Sequence, residues 1–329
     1  MAHSSPVSHR PSVSHFFKEK ILPKLAMMVV GVPDQGFGSI DLTNRCNLRC
    51  KHCYFYEQDV PEEFDDEAWK AKFQELSSGP KKLWAMTWVG GEPLLRKDLI
   101  AYGKQFFRHN LVVTNGLITL PDWEEVHFHI SLDGDEQAHE SMRNQKGIYK
   151  QIMKNADRPE LQVVMAYCVS SLNADCIENV LEEWKDVGIK GFLFSFYTPI
   201  ESIKDPLFPG WERRDQIIDR LIELKKTTYG SFIQNDVRTL ELMKSGESKK
   251  VTDNCMFMKK GFSLDPVGHR KSKCMMGDKA DCDRCGCIVP FHLHRKTEKK
   301  TIVKDLLNDT RTYWSQKDDQ KNHSTVGQA

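Results

Sequence analysis

Six short apolar runs punctuate the first two thirds of the sequence and alternate with segments of helical periodicity. The runs cover 39–42, 84–89, 111–114, 126–131, 161–169 and 191–197. Between them lie helical patterns at 64–76, 97–109, 137–156 and 173–187. Short apolar runs read as strands, and apolar residues at three- and four-residue steps read as helices. The last pattern is the clearest: Ile177, Val180, Leu181, Trp184 and Val187 share a face, Asn173 is placed to cap it and Gly188 to close it. Such alternation builds a parallel α/β sheet, open or partly closed into a barrel. Ligands of these folds gather at the carboxyl ends of the strands.

The loop after the first run reads Cys46-Asn-Leu-Arg-Cys50-Lys-His-Cys53-Tyr54. It supplies three thiols, not four. A [4Fe–4S] cubane is normally closed by four cysteines, so three would leave one iron open to a further ligand. The alternative is a zinc site, which would need His52 or a distant fourth ligand.

Other strand ends carry matching pieces. Gly90-Gly91-Glu92-Pro93 follows the second run, where two glycines allow close backbone approach and a carboxylate can accept from an ammonium group. A simple turn is the plainer reading. Thr114-Asn115-Gly116 follows the third run, again a turn in its own right. Ser131-Leu132-Asp133-Gly134 follows the fourth, with His139, Arg143 and Gly147 behind it. Asp133 and His139 could equally cap and orient the following helix.

Taken in order over residues 38–200, these motifs resemble those of the radical SAM superfamily. The resemblance implies a partial (β/α)6 TIM-like barrel with a small C-terminal auxiliary-cluster module. It implies that Cys46, Cys50 and Cys53 hold a [4Fe–4S] cluster whose open iron binds S-adenosylmethionine. Gly90, Gly91 and Glu92 would contact its amino group, Thr114 and Asn115 its ribose, Ser131 and Arg143 its carboxylate, and His52 and Tyr54 its adenine. An arginine fork suits a carboxylate. One electron from the reduced cluster would then cleave the sulfonium, and the 5′-deoxyadenosyl radical would take a hydrogen atom from the substrate. A flavodoxin or ferredoxin is the implied electron donor. The aromatic run Phe192, Phe194, Phe196, Tyr197 could line the adenine side or the core.

Five of the ten cysteines lie farther on, at Cys255, Cys274, Cys282, Cys285 and Cys287. Between the first two, Gly261 to Gly268 reads as strand, turn and strand, with Asp265-Pro266 supplying the turn. This resembles the SPASM or Twitch module, which implies a second, auxiliary [4Fe–4S] cluster on Cys255, Cys274, Cys282 and Cys285. Cys287 would replace one of the last two or be accessory. A hairpin with a C-x2-C pair is also zinc-ribbon grammar. Of the two remaining thiols, Cys176 reads as structural, and Cys168 as structural or as a hydrogen-atom donor facing the site.

The organisation expected is an N-terminal extension over 1–37 with a short amphipathic segment, a barrel over 38–245, a cysteine-rich module over 246–292, and a helix with a polar, frayed tail over 293–329. One long helix is expected over 213–244 and another over 296–313. Net charge is +1, which gives no footprint for nucleic acid. The start carries no secretory signal, so ten cysteines predict the reducing cytoplasm, with thiols serving metals. The stretch from Phe16 to Val32 could lie on a membrane surface or pack on its own domain, and it is too short to span a bilayer. The 37 residues before the barrel look short for a leader-binding domain, which favours a small-molecule substrate, oxidised, epimerised or rearranged, over a ribosomal peptide. The contrasting class is a non-catalytic zinc- or iron–sulfur-binding interaction protein.

Overall fold

The computed structural model describes residues 12–30, 36–57, 62–78, 83–200 and 205–325. The remaining parts of the N-terminal extension and of the tail lie outside them. The described chain divides into two compact units: one runs to His292 from the start of the sheet, and the other combines the N-terminal helices with the chain from Leu293.

The larger unit is built on a seven-stranded sheet in the order β6-β5-β4-β3-β2-β1-β7. The first six strands are β1 (Phe37–Asp41), β2 (Ala85–Val89), β3 (His109–Thr114), β4 (Val126–Leu132), β5 (Gln162–Val169) and β6 (Phe192–Phe196), each at its expected run. All pairings are parallel, so each connection crosses over; helical segments carry every crossover except that from β3 to β4, which runs through residues 115–125 without a helix. The result is the α/β architecture expected, an open, partly wound barrel sheet.

Alternation along the strands separates two faces. Val163, Met165, Tyr167 and Val169 of β5 are fully buried in the core, as are Phe128, Ile130 and Leu132 of β4. The helix Asp66–Ser78 closes this face with Trp69 and Phe73 one turn apart, and Phe73 meets Trp88 edge-on at 5.3 Å. Burying such side chains contributes about 1.5–3 kcal/mol each. Phe192, Phe194 and Phe196 all belong to this core, so the aromatic run of β6 packs under helices. The opposite face carries the alternate residues, among them Ser39, Thr87, His127, His129, Ser131 and Cys168.

The seventh strand, β7 (Phe262–Leu264), comes from the cysteine-rich region and adds beside β1 in parallel register, Ser39 opposite Ser263. Their hydroxyls meet at 2.7 Å. The expected strand, turn and strand form a short hairpin: Leu264 bridges Arg270 in antiparallel sense, Lys271 N donates to Ser263 O at 2.8 Å and Asp265 N to His269 O at 2.9 Å, across a turn in which Asp265 Oδ1 accepts from Val267 N at 3.0 Å. Farther on, the same region reaches the other sheet edge: Phe196 N donates to Gly286 O at 2.9 Å and Asp281 N to Pro199 O at 3.0 Å.

The helix expected over 97–109 ends at Gly103 and a tight turn over Lys104–Phe106, since His109 already belongs to β3, and three further helices differ from expectation. The 137–156 pattern splits into Glu136–Arg143 and Ile148–Ala156, because Asn144 and Gly147 take left-handed conformations (φ 56° and 77°). Asn173 does not cap: its Oδ1 accepts from Ser170 N at 2.7 Å, and the helix begins at Ile177. The 213–244 helix stops at Leu224, passes through a π turn over Lys225–Tyr229 and a glycine, and resumes as Val237–Leu242.

In the smaller unit the N-terminal helical turns pack on the C-terminal helix Lys299–Thr325, where Phe16 stacks on Tyr313 at 4.1 Å. That helix includes the stretch from Ser315 expected to fray. Among the described residues no helix is long and apolar enough to cross a membrane.

Candidate active site and second cysteine pocket

The cysteine loop leaves β1 and is held against the ends of β2, β3 and β4. Backbone pairing continues past the strands: Leu42 N donates to Val89 O, Gly91 N to Thr43 O and Glu92 N to Arg45 O, at 2.7–2.8 Å. This explains the two glycines. A Cβ on Gly91 would stand 2.2 Å from Arg45 O, and Gly90 has φ 129°. Here they admit the backbone of the cysteine loop itself.

Glu92 is 1% exposed and accepts from Leu94 N at 3.0 Å, Thr114 Oγ1 at 2.9 Å and Asn115 N at 2.8 Å. Burial raises its pKa, and these donors work against the rise. Asn115 then reaches the cysteine loop: its Nδ2 donates to Asn47 Oδ1 at 2.7 Å and contacts Cys46 Sγ at 3.9 Å. A chain of hydrogen bonds thus runs from β2 through β3 to the first thiol.

A second chain centres on Asp133. It is not a cap; Asp135 caps the helix Glu136–Arg143 through Ala138 N at 2.9 Å. Asp133 is 1% exposed and pairs with Arg143 Nε at 2.6 Å and His52 Nε2 at 3.4 Å. Burial disfavours its charge, but Arg143 and His52 outweigh burial and hold its pKa well below the usual carboxylate range. His139 Nδ1 accepts from Asp133 N at 3.1 Å, and burial beside Arg143 lowers its pKa to about 3. Arg143 Nη1 reaches Cys50 Sγ at 3.7 Å. Burial pushes the Cys50 and Cys53 thiols up, and Arg143 opposes the rise at both. Ser131 is half-buried on the open face of β4, two residues before Asp133. Cys168 lies on the same face of β5, opposite Ser195 of β6. Burial near Asp133 raises its thiol to about 12. Cys176 packs on the core.

The five later cysteines, Cys255, Cys274, Cys282, Cys285 and Cys287, line one pocket with apolar walls that include Phe257, Met258 and Met276. Gly286 makes the approach to β6 possible, since a Cβ there would lie 1.9 Å from Phe196 O. All ten cysteines are free. Among the described residues no three His, Cys, Asp or Glu side chains converge on a single-ion point. A polynuclear cluster spreads its thiolates over several irons, and thiols lining a pocket wall suit that chemistry. The five later thiols fit such a cluster in this way, and the first three, close enough to act on one another's charge, suit it as a donor set on one loop.

Tyr54 lies within electrostatic reach of thiols of both groups. Burial, then the proximity of Asp41, Cys53, Cys274 and Cys287, raises its hydroxyl well above the ordinary value. Sequence reasoning passed over Asp41, a carboxylate inside the apolar run of β1. It is 1% exposed, one oxygen pairs with Lys271, and the other has no partner. Burial raises it to about 6 against the pull of Lys271.

A parallel sheet with a three-thiol loop at its carboxyl ends and ordered polar groups around that loop defines a metal-assisted α/β enzyme class. Residues 40–237 match the family model of the radical SAM superfamily. The chain belongs to that superfamily. It is 30% identical over 170 residues to the sporulation killing factor maturation protein SkfB of Bacillus subtilis (strain 168), covering 47% of this chain and 40% of SkfB. It is 29% identical over 198 residues to pre-heme d1 synthase of Dinoroseobacter shibae, covering 56% and 48%. The matched segments span less than half the length of these curated relatives. In fold it resembles Streptococcus suis SuiB bound to precursor peptide SuiA, with TM-score 0.59, 10% identity, and 92% and 74% of the two chains covered. AdoMet-bound anSMEcpe is similar, with TM-score 0.57, 13% identity, and 80% and 82% covered.

Proposed function

We propose that this chain is an S-adenosylmethionine-dependent radical enzyme acting on a small molecule bound against the open face of the sheet. The observation that carries it is the Cys46, Cys50, Cys53 loop, tied at one end to Glu92 through Asn115 and at the other to Asp133 through Arg143. When bound there, a [4Fe–4S] cluster supplies the electron that cleaves S-adenosylmethionine and so generates the hydrogen-abstracting radical. The residues of the chain do the placing. Arg143, with its charge fixed by Asp133, offers donors to an anionic group beside Cys50. Glu92 has three donors already and acts chiefly by ordering Thr114 and Asn115. Asp133 orients His52 beside the loop. Ser131 and Cys168 reach the open face, where the substrate would lie. Cys255, Cys274, Cys282 and Cys285 would hold an auxiliary cluster, with Cys287 accessory.

A peptide substrate is the second reading. It is favoured by the fold match to SuiB, which was solved with a precursor peptide and which this chain follows over 92% of its length. The cytoplasm and a flavodoxin or ferredoxin donor complete the proposal.

Protein purified without oxygen should be brown and release 5′-deoxyadenosine from S-adenosylmethionine under a strong reductant. Cleavage that survives Cys46→Ala, Cys50→Ala and Cys53→Ala together would sink the assignment. Colourless, zinc-loaded protein would favour the interaction-protein alternative. Mass spectrometry of mixtures offered small metabolites or peptides separates the two substrate readings.

A further inference from the structure

Arg214 has no evident use in the site described so far. It lies in the first turn of the helix Trp211–Leu224 and is 0% exposed. Its Nη1 donates to the carbonyl oxygen of Cys285 at 2.9 Å. Its Nε and Nη2 have no acceptor. The guanidinium sits over the rings of Phe196 and Trp211, 4.8 and 4.9 Å from their centroids. Among the described residues the other two buried arginines each have a carboxylate, Arg143 with Asp133 and Arg96 with Asp66. Arg214 has none among the described residues. Its neighbour Asp215 accepts from Ser245 N at 2.9 Å instead.

A guanidinium keeps its charge in a protein, and an unpaired charge out of water is costly. Stacking on two rings offsets part of that cost. What is missing is an anion. Cys285, the residue Arg214 touches, lines the second pocket together with Cys255, Cys274 and Cys282. Four thiolates around an iron–sulfur core carry a net negative charge.

We propose that Arg214 is the buried counter-ion of the metal–thiolate centre in the second pocket and that its charge raises the reduction potential of that centre. The proposal rests on the second pocket holding an iron–sulfur cluster. The reasoning for the potential is electrostatic. Each electron added makes the centre more negative, and a fixed positive charge in a low-dielectric interior stabilises the reduced form more than the oxidised one. Arg214 thus tunes the centre without touching a reacting atom.

The test uses protein carrying Cys46→Ala, Cys50→Ala and Cys53→Ala, reconstituted with iron and sulfide, so that only the second centre reads out. Arg214→Met keeps the volume and removes the charge; Arg214→Lys keeps the charge. Iron and sulfide content and a redox titration followed by electron paramagnetic resonance are compared. The Met variant is expected to titrate at a lower midpoint potential or to lose iron, while the Lys variant stays near the parent. Two outcomes overturn the proposal: full iron with an unchanged midpoint in the Met variant, or equal iron loss in both variants, which would trace the effect to shape. If the parent itself takes up no cluster, the second-pocket reading fails first, and the Arg214 proposal falls with it.

Discussion

The two cysteine groups solve the same problem by opposite means. Three thiols sit on one loop whose geometry is borrowed from the ends of β2, β3 and β4 through charged and amide side chains. Five others line an apolar pocket drawn together from distant parts of one segment, with a buried cation, Arg214, against Cys285. The first group is positioned by a polar network. The second is positioned by backbone attachment, because its segment joins one sheet edge as β7 and meets the other beside β6. The lesson is that an open, reactive position needs outside groups aimed at it, whereas an enclosed one needs mainly walls.

The sharpest break in this comparison is Asp133→Ala. It leaves Arg143 buried without its partner, and removing one member of such a pair costs about 3–5 kcal/mol. Chemical unfolding should show that loss, and iron counting should show the first site emptied while the second keeps its metal. Equal loss from both sites would mean that the two groups are not independently supported.

Next in size is an opposed response to pH. Asp41, beside Lys271 of the second segment, has its pKa raised to about 6, so the folded state holds a proton the unfolded state has lost, and stability falls as pH rises from about 4 to 6. His129, on the open face of β4, is lowered to about 4 by burial, then by His127. It stays neutral when the unfolded chain is protonated, so stability rises with pH across about 4 to 6.5. Each shift is worth about 3 kcal/mol at 1.36 kcal/mol per unit. Thermal unfolding of Asp41→Asn across this window should slope upward relative to the parent, and His129→Gln downward. Matching slopes would remove the distinction.

Smaller effects come from the two glycines that admit close backbone. Gly91→Ala drives a Cβ into Arg45 O, and Gly286→Ala drives one into Phe196 O. Each should cost about 1–3 kcal/mol, as other overpacked sites do. Gly91→Ala should lower iron at the first site alone, and Gly286→Ala at the second alone. The smallest expected effect is that of Cys287→Ala, which should leave the iron count unchanged, whereas Cys285→Ala should lower it. The reverse result would exchange the roles of those two thiols.

Much of this was legible beforehand. Six strands lie at their expected runs, because buried parallel strands must be apolar and short. The Gly90-Gly91-Glu92 run was also legible, but what the glycines admit was not: the sequence shows that a backbone must come close, and only the fold shows that it is the Thr43–Arg45 backbone. Asp133 read as well as a helix cap as anything else, since a carboxylate before a helix has the same local grammar in either role. Its pairing with His52 depends on a contact between residues 81 positions apart. The helix breaks at Asn144 and Gly147 carried a signal in residue type, and the periodic pattern on either side masked it. Arg214 gave no signal, because one arginine on a helix of mixed charge is ordinary until its burial is known.

The sequence alone determined the alternation of strands and helices, the three-thiol loop after β1 and the existence of a second thiol group, since these are properties of periodicity and spacing within short windows. The tertiary structure decided what those pieces face: a seventh strand beside β1, Tyr54 within reach of thiols of both groups, Asp133 between His52 and Arg143, and Arg214 behind Cys285. The physical reason is that hydrogen bonds and charges act over a few ångströms of space, and only the folded chain sets which distant residues come within that range.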